Sequence, residues 1–224
     1  MNKKGFIFDL DGVIVDTAKY HYLAWKKLAN SIGLDFSEEQ NEQLKGVSRV
    51  HSLEKILEWG NRNLSEKEFL DLMNKKNEDY LSYISTMDES EILTNVPQVL
   101  SFLIENKQPI ALGSASKNAR AILEGVNLLD TFNAIVDGND VSKTKPNPEV
   151  FLNAANVLQV KPEKCIVFED AVAGIQAANN ANMISIGIGE KEVLKDADYV
   201  FKDFTEISSE FLSSLINEER NVLK

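Results

Sequence analysis

The stretch GFIFDLDG, residues 5–12, limits the fold more than any other part of the chain. Its apolar residues are consecutive, and a strand with no polar face must be covered on both sides, which places it at the centre of a parallel sheet. The run then breaks into two carboxylates, Asp9 and Asp11, with a glycine behind them. Like charges one residue apart at the end of a buried strand repel, so something must compensate for them.

Downstream the chain changes character twice. From about residue 17 to residue 85 no comparable strand occurs. Tyr22, Trp25, Leu28, Ala29 and Ile32 recur at spacings of three and four, as do Leu53, Ile56 and Leu57; Phe69, Leu72 and Met73 continue the pattern. Such spacing predicts an all-helical insert. Beyond it, apolar strands alternate with helices. PIALGS (109–114) precedes a helix from about Lys117, and NAIVDG precedes a loop with Lys145, Pro146 and Pro148. CIVFED (165–170) leads into AVAGIQAANNA, and ISIGIG into ADYVF and a final helix near 207–219. The expected fold is α/β, a doubly wound, Rossmann-like parallel-sheet core with an inserted all-helical domain. Residues 1–16 and 86–224 would form the core and residues 17–85 the insert.

Ligands of open α/β sheets bind beyond the carboxyl ends of the strands. There the sequence sets Asp9 and Asp11 after the first strand, Ser114 after PIALG, Glu169 and Asp170 after CIVF, and Lys145 in a connecting loop. Four converging carboxylates need a cation, and an all-oxygen set suits Mg²⁺ better than zinc. A lone Asp-x-Asp-Gly is weak evidence, since Asp and Gly are ordinary turn formers; the conjunction of strand-end groups is what carries weight. An EF-hand starting at Asp9 would need an acid or amide at Val13, glycine at Ile14 and glutamate at Tyr20, and no glycine-rich nucleotide loop occurs.

Composition narrows the partners. With 43% hydrophobic and 26% charged residues the chain is that of a soluble globular protein. Its net charge of -11 opposes binding to nucleic acid. No run approaches the roughly 18 to 20 apolar residues of a membrane span, and MNKKGFIFDLDG reaches acids before a signal-peptide core could form, so a cytoplasmic protein without membrane contact is expected. The single cysteine, Cys165, opens an apolar run and is expected to be a buried thiol. The glycosylation triplet Asn63-Leu64-Ser65 is then idle. No exposed apolar seam is evident, and a monomer is expected.

FDLDGVIVDT, ALGSASKN, KPNPEVF and FEDAVAGIQA resemble, in order and placement, the four motifs of the haloacid dehalogenase superfamily of phosphotransferases. YHYLAW and NEQLKGVSR in the insert are similar to the β-phosphoglucomutase family within it, and the insert takes the place of that family's small cap domain. The resemblance covers essentially the whole chain. It implies isomerisation of β-glucose 1-phosphate and glucose 6-phosphate through an aspartyl phosphate, with Mg²⁺ as cofactor and glucose 1,6-bisphosphate as intermediate and phosphorylating activator.

By this resemblance Asp9 is the nucleophile and a metal ligand. Asp11 is the general acid and base, with its backbone carbonyl on the metal; repulsion from Asp9 is expected to favour its protonated form. Asp170, with Glu169 directly or through water, completes the metal site, and Ser114 and Lys145 bind the transferring phosphoryl group. Ala115, Ser116, Lys117 and Asn118 would receive the second phosphate at a helix start, although on local evidence Ser116 is equally a simple helix cap. Lys45, Gly46, Val47, Ser48 and Arg49 would form a loop over the sugar, where unaided reading makes Lys45 and Arg49 solvated charges. Thr17 sits at one hinge, with the other around residues 80–90. In the family the residues matching His21 and Lys76 couple substrate binding to cap closure, where unaided reading leaves both ambiguous and makes His21 a structural or solvent-facing histidine; Trp25 is cap core that also borders the sugar.

The sequence departs from the related mutases at Val50 and His51, where acidic residues are common, and at Gly113, where alanine is usual; His51 is expected to be a surface residue. A sugar-phosphate phosphatase using the same acids, and a noncatalytic sugar-phosphate sensor, are the alternative functions.

Overall fold

The structure, a computed structural model, describes residues 3–45 and 47–217. Strand β1 (Gly5–Phe8) is followed by helices α1 (Ala18–Ser31), α2 (Glu38–Glu42), α3 (Arg49–Trp59) and α4 (Glu66–Ile84). The chain continues through α5 (Val96–Glu105), β2 (Ile110–Gly113), α6 (Ala119–Gly125), β3 (Ala134–Val136) and α7 (Glu149–Leu158). It ends with β4 (Cys165–Glu169), α8 (Val172–Asn180), β5 (Ile184–Ile188), β6 (Tyr199–Phe201) and α9 (Ser209–Asn217). Helix α5 was not foreseen as an element, α6 begins two residues later than expected, and residues 218 and 219 of the expected final helix lie outside the described residues.

The strands form one parallel sheet in the order β3-β2-β1-β4-β5-β6. Side chains alternate across it, as the pleat requires. Phe6 and Phe8 enter an apolar layer with Val99, Leu103, Ile122 and Leu212 of α5, α6 and α9, whereas Ile7 enters the opposite layer with Phe151 and Ala154 of α7 and Ala177 of α8. Both faces are therefore dry, which explains the unbroken apolar run of β1.

The strand order reverses at β1, whose neighbours are β2 and β4, and this is where an open α/β sheet leaves a crevice at its carboxyl edge. Phe8 pairs in register with Phe168 and their rings stack at 4.6 Å. The register carries Asp9 to the side of Glu169.

Helices α1 to α4 occupy the stretch expected to be helical. Ser37 with Gln40 and Ser65 with Glu68 form reciprocal capping boxes at α2 and α4, and Ser48 caps α3. Trp25, Leu28, Phe36, Leu53 and Ile56 build a separate apolar cluster there. Ala24, Tyr80 and Ile84, by contrast, join the cluster of the sheet. The two connections are stitched together: the Asp16 amide donates to the Glu91 carbonyl at 3.1 Å and the Leu93 amide to the Ile14 carbonyl at 2.9 Å. Among the described residues no helix is long and apolar enough to cross a membrane.

Candidate active site

At the carboxyl edge, Asp9 follows β1, Ser114 follows β2, and Glu169 ends β4 with Asp170 next to it. One carboxylate oxygen from each of Asp9, Glu169 and Asp170 lies within 4.8 Å of the others. Gly12 is needed here: its φ is +79°, and a Cβ would collide with the Asp170 carboxylate. Gly174 leaves equivalent room for Glu169.

Lys145 reaches into this cluster from its loop. Its Nζ donates to Asp9 Oδ1 and to Glu169 Oε1, both at 2.6 Å, and the ammonium is buried. Burial alone would lower its pKa, but the two carboxylates outweigh it and hold Lys145 firmly charged. Burial raises Glu169 to about 7, against the pull of Lys145. Asp170 is pushed well above the carboxylate range by burial, then by Glu169 and Asp9. One lysine thus leaves the acids short of positive charge, and three carboxylate oxygens from two adjacent strand ends make a donor set that fits Mg²⁺.

Asp11 is raised to about 6. Burial is the larger cause, and the repulsion from Asp9 expected from sequence is the second. Its side chain stands apart from the three-acid cluster and accepts a hydrogen bond from the Thr17 hydroxyl. Thr17 is the N-cap of α1 yet makes no side-chain capping bond, because its hydroxyl is committed to Asp11.

The cleft above these acids measures about 480 Å³. Its other wall is helical. Lys76 is buried with its Nζ 3.1 Å from His21 Nδ1 and 4.6 Å from the ring centres of both Trp25 and Tyr80. Burial, then Arg49, lowers Lys76 to about 7; burial, then Lys76 and Arg49, keep the His21 imidazole neutral. His21 Nε2 lies 3.9 Å from Asp11 Oδ1, and Lys45 Nζ 3.9 Å from Asp170 Oδ2, so both walls meet across the cleft. Arg49 opens α3, half-buried, and its guanidinium has no ion pair or hydrogen bond among the described residues.

The structure brings together Asp9, Asp11, Thr17, His21, Trp25, Lys45, Val47, Ser48, Arg49, Lys76, Ala115, Ser116, Lys117, Asn118, Lys145 and Asp170 as lining of this one cleft. Gly46 lies outside the described residues. Ser114 and Glu169 are not among the lining residues; they stand behind it, with Ser114 Oγ accepting from the Ser116 amide at 3.1 Å. The N-cap of α6 is Asn118, not Ser116, whose Oγ instead accepts from the Asn118 amide. His51 is exposed as expected, yet it lines the cleft and bonds Ser48 Oγ at 2.9 Å, which its position one turn from Ser48 could have suggested. Buried Asn41 and Ser52 also line it and carried no signal in the sequence beyond flanking the KGVSR segment.

The haloacid dehalogenase-like hydrolase family matches residues 3–182. The chain belongs to that family. Among its relatives, the β-phosphoglucomutase of Bacillus subtilis (strain 168) is 42% identical over 211 residues, 93% of each chain. A fructose-1-phosphate phosphatase of Escherichia coli (strain K12) is 33% identical over 82% of this chain and 95% of its own. The crystal structure of β-phosphoglucomutase from Clostridium difficile superposes with a TM-score of 0.91, at 43% identity, covering 96% of this chain and 97% of that one. The fold and the family expected from the four motifs are thereby borne out, and family members of this kind are phosphotransferases dependent on Mg²⁺. Cys165 is buried, its thiol raised to about 12 by burial, as an inert core residue should be.

Proposed function

We propose that the protein is a β-phosphoglucomutase, interconverting β-glucose 1-phosphate and glucose 6-phosphate. The observation that carries this is a single cleft lined both by Asp9 and Lys145, which pair at 2.6 Å, and by Arg49 and Lys117, two cations with no ion pair among the described residues. A sugar bisphosphate needs both. The likeness to the B. subtilis and C. difficile mutases supports the same reading.

Asp9 serves as nucleophile and Asp11 as general acid and base. With Asp9 phosphorylated, the sugar 6-hydroxyl gives its proton to Asp11 and attacks phosphorus, and the Asp9–phosphorus bond breaks. Glucose 1,6-bisphosphate turns within the cleft; Asp9 attacks the 1-phosphate, Asp11 returns the proton to the departing sugar oxygen, and glucose 6-phosphate leaves. Free bisphosphate primes Asp9. Asp9, the Asp11 backbone carbonyl and Asp170, with Glu169 directly or through water, would hold Mg²⁺, which would offset charge on the phosphoryl oxygens. Lys145 and Ser114 bind the transferring phosphoryl group, and Arg49, Ser116, Lys117 and Asn118 the other phosphate.

The helices of 17–85 act as a cap that excludes water, hinged at Thr17 and within residues 80–90, with Lys45, Gly46, Val47, Ser48 and Trp25 around the sugar and His21 and Lys76 reporting its presence to Asp11. Sugar phosphates are the partners, met in the cytoplasm by a monomer.

The test is the product. Incubation with β-glucose 1-phosphate, Mg²⁺ and a trace of glucose 1,6-bisphosphate, followed by phosphorus NMR, should give glucose 6-phosphate with little orthophosphate; the α anomer is the control. Dominant orthophosphate would instead assign a sugar-phosphate phosphatase, the activity in the name of the E. coli relative. Binding without turnover would leave a sensor.

A further inference from the structure

Asn118 stands at the N-cap of α6, where an asparagine side chain ordinarily accepts a hydrogen bond from the first turn. It makes none. Its Nδ2 instead donates to Asn77 Oδ1 at 3.1 Å, across 41 residues of sequence. The loop does not need this side chain to hold its shape, because the Asn118 amide is already closed onto Ser116 Oγ and the Gly138 amide onto the Ser116 carbonyl. Asn77 follows buried Lys76 on α4, so the bond joins the helical wall to the loop after β2. Among the described residues no other side-chain hydrogen bond links the helical wall to residues 114–118.

A side-chain amide has two N–H groups. With one fixed by Asn77, the second has a set direction, and Asn118 lines the cleft. We propose that Asn77 is a positioning residue: its carbonyl orients Asn118 toward the phosphate that is not being transferred. Because Asn77 and Asn118 come from opposite walls, their bond exists only when the walls are together. A phosphate that favours the oriented amide therefore favours the shut cleft, and a shut cleft favours the phosphate by the same factor. This rests on the assignment of Asn118 to the second phosphate made above. Asn77 needs no contact with the ligand, which is why no phosphate-binding pattern in the sequence points to it.

The experiment separates this inference from the choice between mutase and phosphatase by removing turnover. In the Asp9→Asn protein with Mg²⁺, the Kd for glucose 6-phosphate is measured by calorimetry for the parent, Asn77→Ala, Asn118→Ala and the double variant. Loss of one orienting hydrogen bond should weaken binding about three- to tenfold for Asn77→Ala, and the double variant should bind no more weakly than Asn118→Ala, because Asn77 acts only through Asn118. In the active enzyme Asn77→Ala should raise KM, leave kcat within about twofold, and increase orthophosphate released per turnover.

Binding unchanged by Asn77→Ala, or a weakening that adds in full to that of Asn118→Ala, would overturn the proposal. So would a Kd loss matched by a fall in melting temperature of the ligand-free protein, the signature of a structural role. If the wild-type enzyme releases only orthophosphate the mutase assignment fails, while the calorimetric cycle still judges Asn77.

Discussion

The two walls of the cleft carry opposite excesses of charge. On the sheet side, Asp9, Asp11, Glu169 and Asp170 share one buried lysine, and burial raises Asp11, Glu169 and Asp170 toward their neutral forms. On the helical side, burial and then Arg49 press Lys76 toward neutrality, and burial, then Lys76 and Arg49, do the same to His21, with Arg49 unpaired among the described residues. Each wall is unfavourable in the way its missing partner would relieve: a divalent cation for the acids, a phosphate for the bases. The difference teaches where ligand binding energy can act, since contacts that cost free energy when empty become favourable only on occupancy.

The comparison fails most visibly if covalent chemistry is not confined to the sheet wall. Asp9→Ala should lower both isomerisation and phosphate release by about four orders of magnitude or more, read by the phosphorus NMR assay; residual isomerisation near wild type would remove the nucleophile from that wall. Next in size is Lys145→Ala. It leaves two buried carboxylates facing each other, so the chelated protein should lose about 3 kcal/mol in urea denaturation, and added Mg²⁺ should restore more stability to the variant than to wild type.

On the helical wall the signature is reversed. Arg49→Ala should raise KM about 10- to 100-fold, the loss of a charged hydrogen bond, while the denaturation midpoint stays put, because among the described residues Arg49 has no hydrogen-bond or ion-pair partner to strand. A large stability loss would show that Arg49 is structural and that the wall is not waiting for an anion.

Stability against pH sharpens the contrast in chelated protein. Asp11 rises from 3.8 to about 6 and Glu169 from 4.5 to about 7, so the native state binds more protons than the unfolded chain between about pH 4 and 7. Stability contributed by these groups is full below that window and falls as pH rises through it. Lys76 falls from 10.5 to about 7; there the unfolded chain binds more protons, and stability rises from about pH 7 to 10. Lys76→Met should flatten the upper limb alone. The smallest effect is expected at the linkers, where Lys19 Nζ meets both Glu91 oxygens at 2.9 and 2.7 Å and Tyr20 donates to the same carboxylate at 2.7 Å. Lys19 is half exposed. Glu91→Gln should cost less than about 1 kcal/mol.

The sheet wall was legible in the sequence because its groups lie at strand ends, where an apolar run stops and a turn begins; register then brings Asp9 and Glu169 together without further instruction. The helical wall was less so. Helical spacing located α1, α3 and α4, but which residue of a turn faces the cleft depends on how helices cross, so Asn77 drew no reading and His51, exposed as expected, was not read as lining the cleft. Local grammar is also overridden: Thr17 and Asn118 occupy N-cap positions, yet their side chains bond to Asp11 and Asn77, partners that only the fold supplies.

Ala24, Tyr80 and Ile84 are packed into the apolar layer of the sheet, while the cluster around Phe36 and Leu53 packs only on its own helices. The helical arm is thus rooted at one end, and in the cap role proposed above it would tilt rather than slide. Product would then depart through the gap that tilting opens, and solvent would enter by the same gap. Speed of release and protection of the phosphorylated aspartate would be set by one movement, a faster gate being also a leakier one.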